Sequence, residues 1–162
     1  DRLDARIGAA VLGVQAIKSV EIGLGAEVAR RRGSEVHDAI GFDAAQRGSS
    51  SLGLTNHAGG IEGGMSNGMP IVVTAAMKPI STLLQGLPSV DLATGEPQRS
   101  AYERSDVCAV AAASVVLENV VAFEVARAFR AKFSGDSLEE TRAQFDAWRS
   151  RASEIPPAFS TS

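Results

Sequence analysis

Three polar residues, Arg104, Ser105 and Asp106, stand directly before a long run of small apolar residues, CAVAAASVVLENVVA. Serine and aspartate are common helix N-caps, because their side-chain oxygens accept hydrogen bonds from the free amides of the first turn. A guanidinium is unfavourable there, since it meets the positive end of the helix dipole unless an anion or Asp106 lies beside it. The triplet therefore predicts either a helix capped by Ser105 or Asp106 with a solvated arginine, or an anion or cofactor site.

A second candidate for anion binding is the segment KPIST, from Lys78 to Thr82. It combines an ammonium group, a proline that fixes the turn, and two hydroxyl groups. Lysine offers charge to a phosphate without demanding bidentate geometry. The alternative is an ordinary strand exit with a solvated lysine, and composition alone favours that alternative.

A third candidate is the segment TNHAGGIEGGMSNGMP, in which five glycines fall within ten residues. This density disfavours regular structure, because each glycine adds backbone freedom that folding must remove. The segment lacks the GK[ST] ending of a P-loop and runs into a strand, so it is neither that motif nor a dinucleotide fingerprint. A tight packing loop is the favoured interpretation, and close approach of the backbone to a planar ligand is the alternative.

Single residues give weaker signals. His57 stands beside the glycine-rich segment, where a surface position is more common than a ligand contact. Cys108 falls inside the apolar run, where a thiol behaves as a small hydrophobe rather than as a nucleophile. Glu118 falls in the same run, and burial there would require a lysine or arginine partner.

The elements that must position these residues follow from apolar periodicity and turn signals. The predicted order is a helix at 3–14, a strand at 14–25, a short helix at 27–33, an exposed loop at 41–51, a strand at 70–79, a hairpin turn in VDLATGEP, a helix at 107–133 and a last helix from a Ser137–Glu140 capping box to about residue 151. The helix at 107–133 is apolar nearly all round up to Glu124, which predicts burial of its first half. Strands alternating with helices predict a mixed α+β fold.

The bulk composition narrows the function classes. A chain of 162 residues with 44% apolar content can form one domain with a core, and its net charge of −3 argues against partners such as duplex nucleic acid or an anionic membrane. One cysteine excludes an internal disulfide, two histidines give no zinc-ligand cluster, and we expect no metal site and a reducing cytoplasm. No run of eighteen apolar residues predicts a membrane span. Since the chain begins without methionine, we expect it to be a piece of a longer protein.

In order, the segments QAIKSVEIGLG, TNHAGGIEGGMSNGMPIVV, AAMKPISTL, SVDLATGEP and RSDVCAVAAASVVLENVVA resemble successive blocks of the chorismate synthase family, especially its actinobacterial members. The resemblance runs from about residue 3 to residue 145. It implies a lyase of the shikimate pathway that forms chorismate by 1,4-elimination of phosphate from 5-enolpyruvylshikimate 3-phosphate, for aromatic amino acid biosynthesis. It also implies reduced FMN as cofactor, with NADPH needed only indirectly for flavin reduction, and a cytoplasmic homotetramer of β-α-β sandwich subunits.

The resemblance further implies which residues form the site. Gln15 and Ala16 would belong to a strand that approaches the flavin, and Gly63 would be a glycine that contacts it. The flavin phosphate and ribityl chain would be held by Lys78, Pro79, Ile80, Ser81 and Thr82. The implied contact to both flavin and substrate is Arg104, and the implied catalytic group, near the reactive flavin nitrogen, is Asp106.

This sequence also departs from the family. Ser19 replaces a glycine, and a proline and a glycine of the family are missing near Ala111 and Ser114. A change to a slightly larger residue in a packed helix costs about 1 to 3 kcal/mol. The family's GxSHG segment and second histidine are absent. The resemblance therefore implies the C-terminal part of a chorismate synthase domain at 1–152 and a disordered tail at 153–162, inactive alone. The alternatives are an isolated flavin- or phosphate-binding module and an inactive structural fragment.

Overall fold

The computed structural model describes residues 2–41, 53–104 and 107–153. Its elements are α1 (Leu3–Leu12), β1 (Ile17–Ile22), a 3₁₀ helix (Gly25–Arg30), α2 (Gly33–Val36), β2 (Ile61–Glu62), β3 (Met65–Ser66), β4 (Val73–Met77), β5 (Pro88–Val90), β6 (Pro97–Arg99), α3 (Val110–Lys132) and α4 (Leu138–Ser153). This mixture confirms the predicted α+β class. Most of the loop predicted at 41–51, the tail after residue 153, and the polar residues Ser105 and Asp106 lie outside the described residues.

Helix α1 contributes three buried residues to the hydrophobic core. Its residues Leu3, Ile7 and Val11 recur every four positions on one face, as the sequence predicts, and all three are buried. They pack with Ile17 of β1 and Ile61 of β2. Helix α1 contacts both β1 and α3, so it lies between a pair of strands and the longest helix.

Strands β1 and β4 form an antiparallel ribbon that confirms the two longer predicted strands. Ile17 pairs with Met77 at one end, and Ile22 pairs with Val73 at the other. The register shifts between Ile17 and Ser19, so Lys18 occupies a β-bulge. This bulge explains why the apolar alternation of the sequence breaks at Ile17 and Lys18.

The glycine-rich segment packs its backbone against the end of β1. A Cβ built on Gly59 would lie 2.3 Å from the Gly23 nitrogen, and one built on Gly23 would lie 2.0 Å from the His57 carbonyl oxygen. This close approach supports the tight-packing interpretation. The expectation of no regular structure is wrong in one place, because β2 and β3 pair as a two-residue hairpin. The pairing is limited to Ile61 with Ser66 and Glu62 with Met65, so the regular structure in this segment is short.

Two other predicted features are present, and one of them, the short helix, has different boundaries. The short helix predicted at 27–33 is instead the 3₁₀ helix Gly25–Arg30 followed by the four-residue α2, since Gly33 begins a new turn. The turn predicted in VDLATGEP joins β5 and β6, whose strands pair Pro88 with Arg99. In this turn the Gly95 amide donates to the Asp91 carbonyl oxygen at 2.8 Å.

Four predictions about helix α3 and the residues before it are wrong. It begins at Val110 rather than at residue 107, and its first half is largely exposed, with Val110 and Val115 each 59% exposed. Cys108 precedes the helix and is exposed. Glu118 is exposed and has no ion-pair partner among the described residues. An apolar composition all round the helix predicts burial, but no described element covers these faces.

The second half of α3 is tied to α1 by an ion cluster. The Glu124 side chain is 8% exposed and accepts hydrogen bonds from Arg6 Nε at 3.0 Å and from Arg127 Nη1 at 2.8 Å. The hydrogen bond from Arg127 outweighs the opposing effect of burial and, with that from Arg6, holds the pKa of Glu124 below its ordinary value. Helices α1 and α3 are therefore joined by charge as well as by apolar packing.

We expect Glu124→Gln to alter the pH dependence of folding. The carboxylate has a folded-state pKa below its unfolded value of 4.5, so its stabilisation is present above that pH and is lost as the pH falls through the folded pKa. The unfolding free energy, measured in urea, should be lower for Glu124→Gln than for the wild type at pH 7. Between pH 7 and pH 3 it should decrease less for the variant than for the wild type. The control is Glu118→Gln, which removes an exposed carboxylate of the same helix that has no ion-pair partner among the described residues. If the unfolding free energies of both variants changed equally with pH, the ion cluster would not be the cause.

Helix α4 packs on the end of α3 through aromatic rings. Its predicted start is confirmed, because the Glu140 amide donates to Ser137 Oγ at 3.1 Å. The Phe133 ring lies 4.9 Å from that of Phe129 and 5.8 Å from that of Trp148. Lys132 Nζ lies 3.9 Å from the Trp148 ring centroid, a cation–π contact that closes the cluster.

Candidate functional site

The turn between α1 and β1 meets the segment after β4. The Ala16 carbonyl oxygen accepts a hydrogen bond from the Lys78 amide at 2.8 Å, because Ile17 and Met77 are paired at this end of the ribbon. Gln15 is exposed in the same turn, and the Lys78 side chain is exposed beside it. Two segments singled out from the sequence, far apart along the chain, are thus joined directly.

Ala16 has a strained backbone at this junction. Its φ of 68° makes it the one non-glycine residue with a positive φ in the described part of the chain. The left-handed region costs a residue with a Cβ atom roughly 1 to 2 kcal/mol. Such strain is concentrated at binding and catalytic sites, where the surrounding structure maintains it. The conformation of Ala16 therefore marks the junction as a candidate functional site.

The beginning of α3 lies near the same end of the ribbon. Helices α1 and α3 run antiparallel, since Arg6 in α1 pairs with Glu124 in the second half of α3, whereas Ile17, beyond the end of α1, lines a cavity with Val110 at the start of α3. Continuing along α1 to Ala16 therefore leads toward the N-terminal end of α3. The Lys78 junction and the start of α3 lie on one side of the molecule.

A groove of about 520 Å³ separates the ribbon from the first half of α3. Its walls are mainly apolar, and among its lining residues are Ile17, Met77, Val110, Ser114 and Glu118. Lys78 directly follows one lining residue, and Ser81 is exposed and Thr82 half-buried a few residues further on. An apolar groove that leads to a lysine, with two hydroxyl residues in the same segment, can accept an elongated ligand that has an anionic terminus.

Arg104 is exposed and has no hydrogen-bond or ion-pair partner among the described residues. It precedes Val110 by six residues, which limits their separation to about 20 Å. The N-cap of α3 is Ala109, which makes no side-chain cap, so the prediction that Ser105 or Asp106 caps this helix is wrong. Because Val107 and Cys108 are not helical, Ser105 and Asp106 come too early in the chain to occupy the cap position. The predicted catalytic residue Asp106 itself lies outside the described part.

Gly63 lies apart from the Lys78 junction. It forms the turn between β2 and β3 with a φ of 58°, and a Cβ built on it would meet nothing within 4 Å. The adjacent Gly64 carbonyl oxygen accepts a hydrogen bond from the Leu3 amide at 2.8 Å, so Gly63 lies near the start of α1, whereas Ala16 follows its end. The length of β1 indicates a separation of roughly 17 Å. The candidate residues thus form two groups at opposite ends of the ribbon.

A cleft of about 320 Å³ is lined by Gly63 and by both histidines of the chain. Its other lining residues are Ile22, Val28, Val36, Asp38, Ala58 and Glu62. His57 is 31% exposed, and its Nδ1 lies 3.2 Å from the Val36 carbonyl oxygen and 3.7 Å from Asp38. His57 is therefore a half-buried residue held by protein contacts.

Asp38 is the residue at this cleft that sequence reasoning missed. Its side chain is 7% exposed and accepts hydrogen bonds from the amides of His57 at 2.7 Å and Ala58 at 2.8 Å, and from the Thr55 hydroxyl. Burial raises the pKa of Asp38, but these hydrogen bonds outweigh it and hold the pKa below its ordinary value. An aspartate after a short helix gives no sequence signal for partners this far along the chain.

The described residues contain neither a cluster of metal-ligating side chains nor a helix that could cross a membrane. No three or more histidine, cysteine, aspartate or glutamate side chains are grouped so as to hold a metal ion in the ranges 2–41, 53–104 and 107–153. Within the same ranges, no helix has the length and apolar character needed to cross a membrane.

Comparison with known proteins identifies the family. Residues 1–129 match the family model of chorismate synthase. A chorismate synthase of Geobacter metallireducens is 56% identical over 151 residues, covering 91% of this chain and 38% of that protein. One from Mycolicibacterium smegmatis is 52% identical over 164 residues, covering 100% of this chain and 40% of that protein. A crystal structure of chorismate synthase aligns with a TM-score of 0.74 and 41% identity over 95% of this chain and 38% of that one.

The chain belongs to the chorismate synthase family. This confirms the resemblance drawn from the sequence, and mycobacterial proteins are among the relatives, as are proteins of Geobacter at similar identity. The chain spans about two fifths of the length of the relatives named above. Helix α4 lies beyond the part that the family model matches.

Proposed function

We propose that this chain contributes the flavin-binding part of a chorismate synthase. The whole protein would be a lyase that eliminates phosphate from 5-enolpyruvylshikimate 3-phosphate to give chorismate, with reduced FMN as cofactor. Membership of the family supports this activity, which in the relatives belongs to proteins about two and a half times as long. The cytoplasmic homotetramer and the indirect use of NADPH belong to the same proposal.

The observation that carries the proposal is the hydrogen bond between Ala16 and Lys78. It joins two segments for which the resemblance implies flavin contacts, at the one strained alanine of the described chain. The ammonium group of Lys78, with the hydroxyls of Ser81 and Thr82 in the same segment, suits a phosphate. Bound FMN would lend electron density transiently to the elimination and recover it.

The residues of this chain would have distinct tasks in that reaction. Lys78 and Thr82 would bind the flavin phosphate, while Gln15 and Ala16 would line the flavin. Arg104, whose charge has no partner among the described residues, would hold the anionic substrate near the flavin. Asp106 would handle a proton at the reactive end of the flavin, as the resemblance implies. Gly63, at the far end of the ribbon, would let its backbone approach the ligand because no side chain intervenes.

We expect Lys78→Ala to weaken FMN binding by about tenfold or more, because a charge-assisted hydrogen bond to phosphate contributes roughly 1.5 to 3 kcal/mol. Titrations should use oxidised and reduced FMN and follow the flavin signal. The matched control is Lys18→Ala, which removes an exposed lysine in the neighbouring strand at the same end of the ribbon. Equal affinity of the wild type and Lys78→Ala would reject the phosphate site. Absence of FMN binding by the wild type would reject the proposed function.

A further inference from the structure

We propose that Asp38 is a positioning residue: its buried carboxylate fixes the glycine-rich segment from Thr55 to Gly64 and thereby holds Gly63 in place at its cleft. The positioning role stands on the hydrogen bonds of this structure alone. Its consequence for ligand binding rests on the proposed function, because that function gives Gly63 a ligand.

The carboxylate holds the start of the segment on both sides of Asn56. One neighbour, Thr55, donates its hydroxyl to Asp38, and the backbone amides of His57 and Ala58 donate on the other side. A carboxylate can accept several hydrogen bonds at once, and each is strengthened by its charge. A side chain that is 7% exposed makes these contacts with little competition from water.

Asn56 passes this restraint on to the rest of the segment. Its Oδ1 accepts a hydrogen bond from the Gly60 amide at 2.8 Å, and its Nδ2 donates to the Pro70 carbonyl oxygen at 2.9 Å. The Gly60 carbonyl oxygen in turn accepts from the Asn67 amide at 3.0 Å, beyond the β2–β3 hairpin. A chain of short contacts therefore leads from Asp38 to the hairpin that carries Gly63.

The segment needs such a restraint because its own residues supply little. Gly59, Gly60, Gly63 and Gly64 all have positive φ angles, and glycine has the largest conformational freedom to lose. A hairpin of two paired residues is not stable by itself. The side-chain hydrogen bonds of Asp38 and Asn56 compensate for that deficit.

The test is Asp38→Asn, which keeps the size of the side chain but removes its charge and one of its two acceptor oxygens. We expect amide hydrogen exchange to rise by about tenfold or more from His57 through Gly64, since charged hydrogen bonds are lost there. Exchange in α3 should not change. FMN affinity should fall by about fivefold or more, as for the loss of roughly 1 kcal/mol of preorganisation.

Two further variants make the result specific. Asp91→Asn is the matched control, because Asp91 also accepts backbone amides, from Ala93 at 2.7 Å and Thr94 at 3.1 Å, but in the β5–β6 turn. It should leave exchange at 57–64 and FMN affinity unchanged. Thr55→Val removes one of the three hydrogen bonds to Asp38 without changing the shape of the side chain. It should raise amide exchange and lower FMN affinity less than Asp38→Asn does. It replaces Asp38→Asn in the test if that variant fails to fold.

The outcomes separate this inference from the proposed function. Increased exchange confined to His57 and Ala58, or no increase, would overturn the positioning role whether or not FMN binds. Increased exchange through Gly64 with unchanged FMN affinity would overturn its consequence for the ligand. If the wild type binds no FMN, the proposed function fails, and the exchange data alone decide the role of Asp38.

Discussion

Gly59→Ala should destabilise the fold by about 2 to 5 kcal/mol, because a forced backbone shift of about 1 to 3 kcal/mol adds to an unfavourable φ that costs about 1 to 2 kcal/mol. Its Cβ would lie 2.3 Å from the Gly23 nitrogen and 2.5 Å from the Gly23 Cα, and its φ would be 65°. Backbone atoms cannot rotate away as a side chain can. Denaturant unfolding followed by circular dichroism would measure the loss.

The control for Gly59→Ala is Gly63→Ala in the same segment. Gly63 has a φ of 58° but open space around its Cβ position, so it should lose only the conformational part, roughly 1 to 2 kcal/mol. The difference between the two variants isolates the contact between Gly59 and Gly23. Equal losses would mean that the two backbone segments lie further apart than in this structure.

The second large effect is expected for Ile7→Ala, which should cost about 2 to 5 kcal/mol because it leaves a cavity at the centre of the core. Ile7 is 0% exposed and packs between the ribbon and α3. Helix α1 also bonds to Gly64 at its start and leads into Ala16 at its end. Loss of Ile7 should therefore weaken FMN binding as well as stability.

Leu12→Ala tests whether the loss of stability expected for Ile7→Ala comes from the burial of that side chain. Leu12 lies on the same helix but is 49% exposed, so its truncation should cost less than half as much. Thermal unfolding of the two variants, with FMN titration of each at a temperature where both are folded, would make the comparison. A larger loss for Leu12→Ala than for Ile7→Ala would contradict the orientation of α1.

Patterns of a few consecutive residues predicted the buried face of α1 and the irregularity in β1. The spacing of Leu3, Ile7 and Val11 specifies the buried face of α1, because helical periodicity is a property of a few consecutive residues. The break in alternation at Lys18 corresponds to a bulge for the same reason. The boundaries of α3 were less predictable, since a run of alanine and valine begins a helix at several positions equally well.

Tertiary relations were not predictable in this way. The apolar first half of α3 predicted burial, whereas Val110 and Val115 are exposed, because burial depends on what packs against a helix and not on its composition. For the candidate site, composition alone favoured a solvated lysine at Lys78, and only the family resemblance assigned this residue to the flavin phosphate. Its hydrogen bond to Ala16, the distance of Gly63 from both, and the role of Asp38 depend on strand register and loop contacts that no local pattern encodes.

The aromatic cluster on α4 determines what optical measurements of this protein can report. Trp148 is the single tryptophan of the chain, and it lies under Lys132 at the C-terminal end of α3. That helix has 23 residues and is therefore about 34 Å long, with the Lys78 junction near its opposite end. Intrinsic tryptophan emission is thus a reporter of the α3–α4 contact, and it can register the loosening of this contact while the Lys78 junction is still intact.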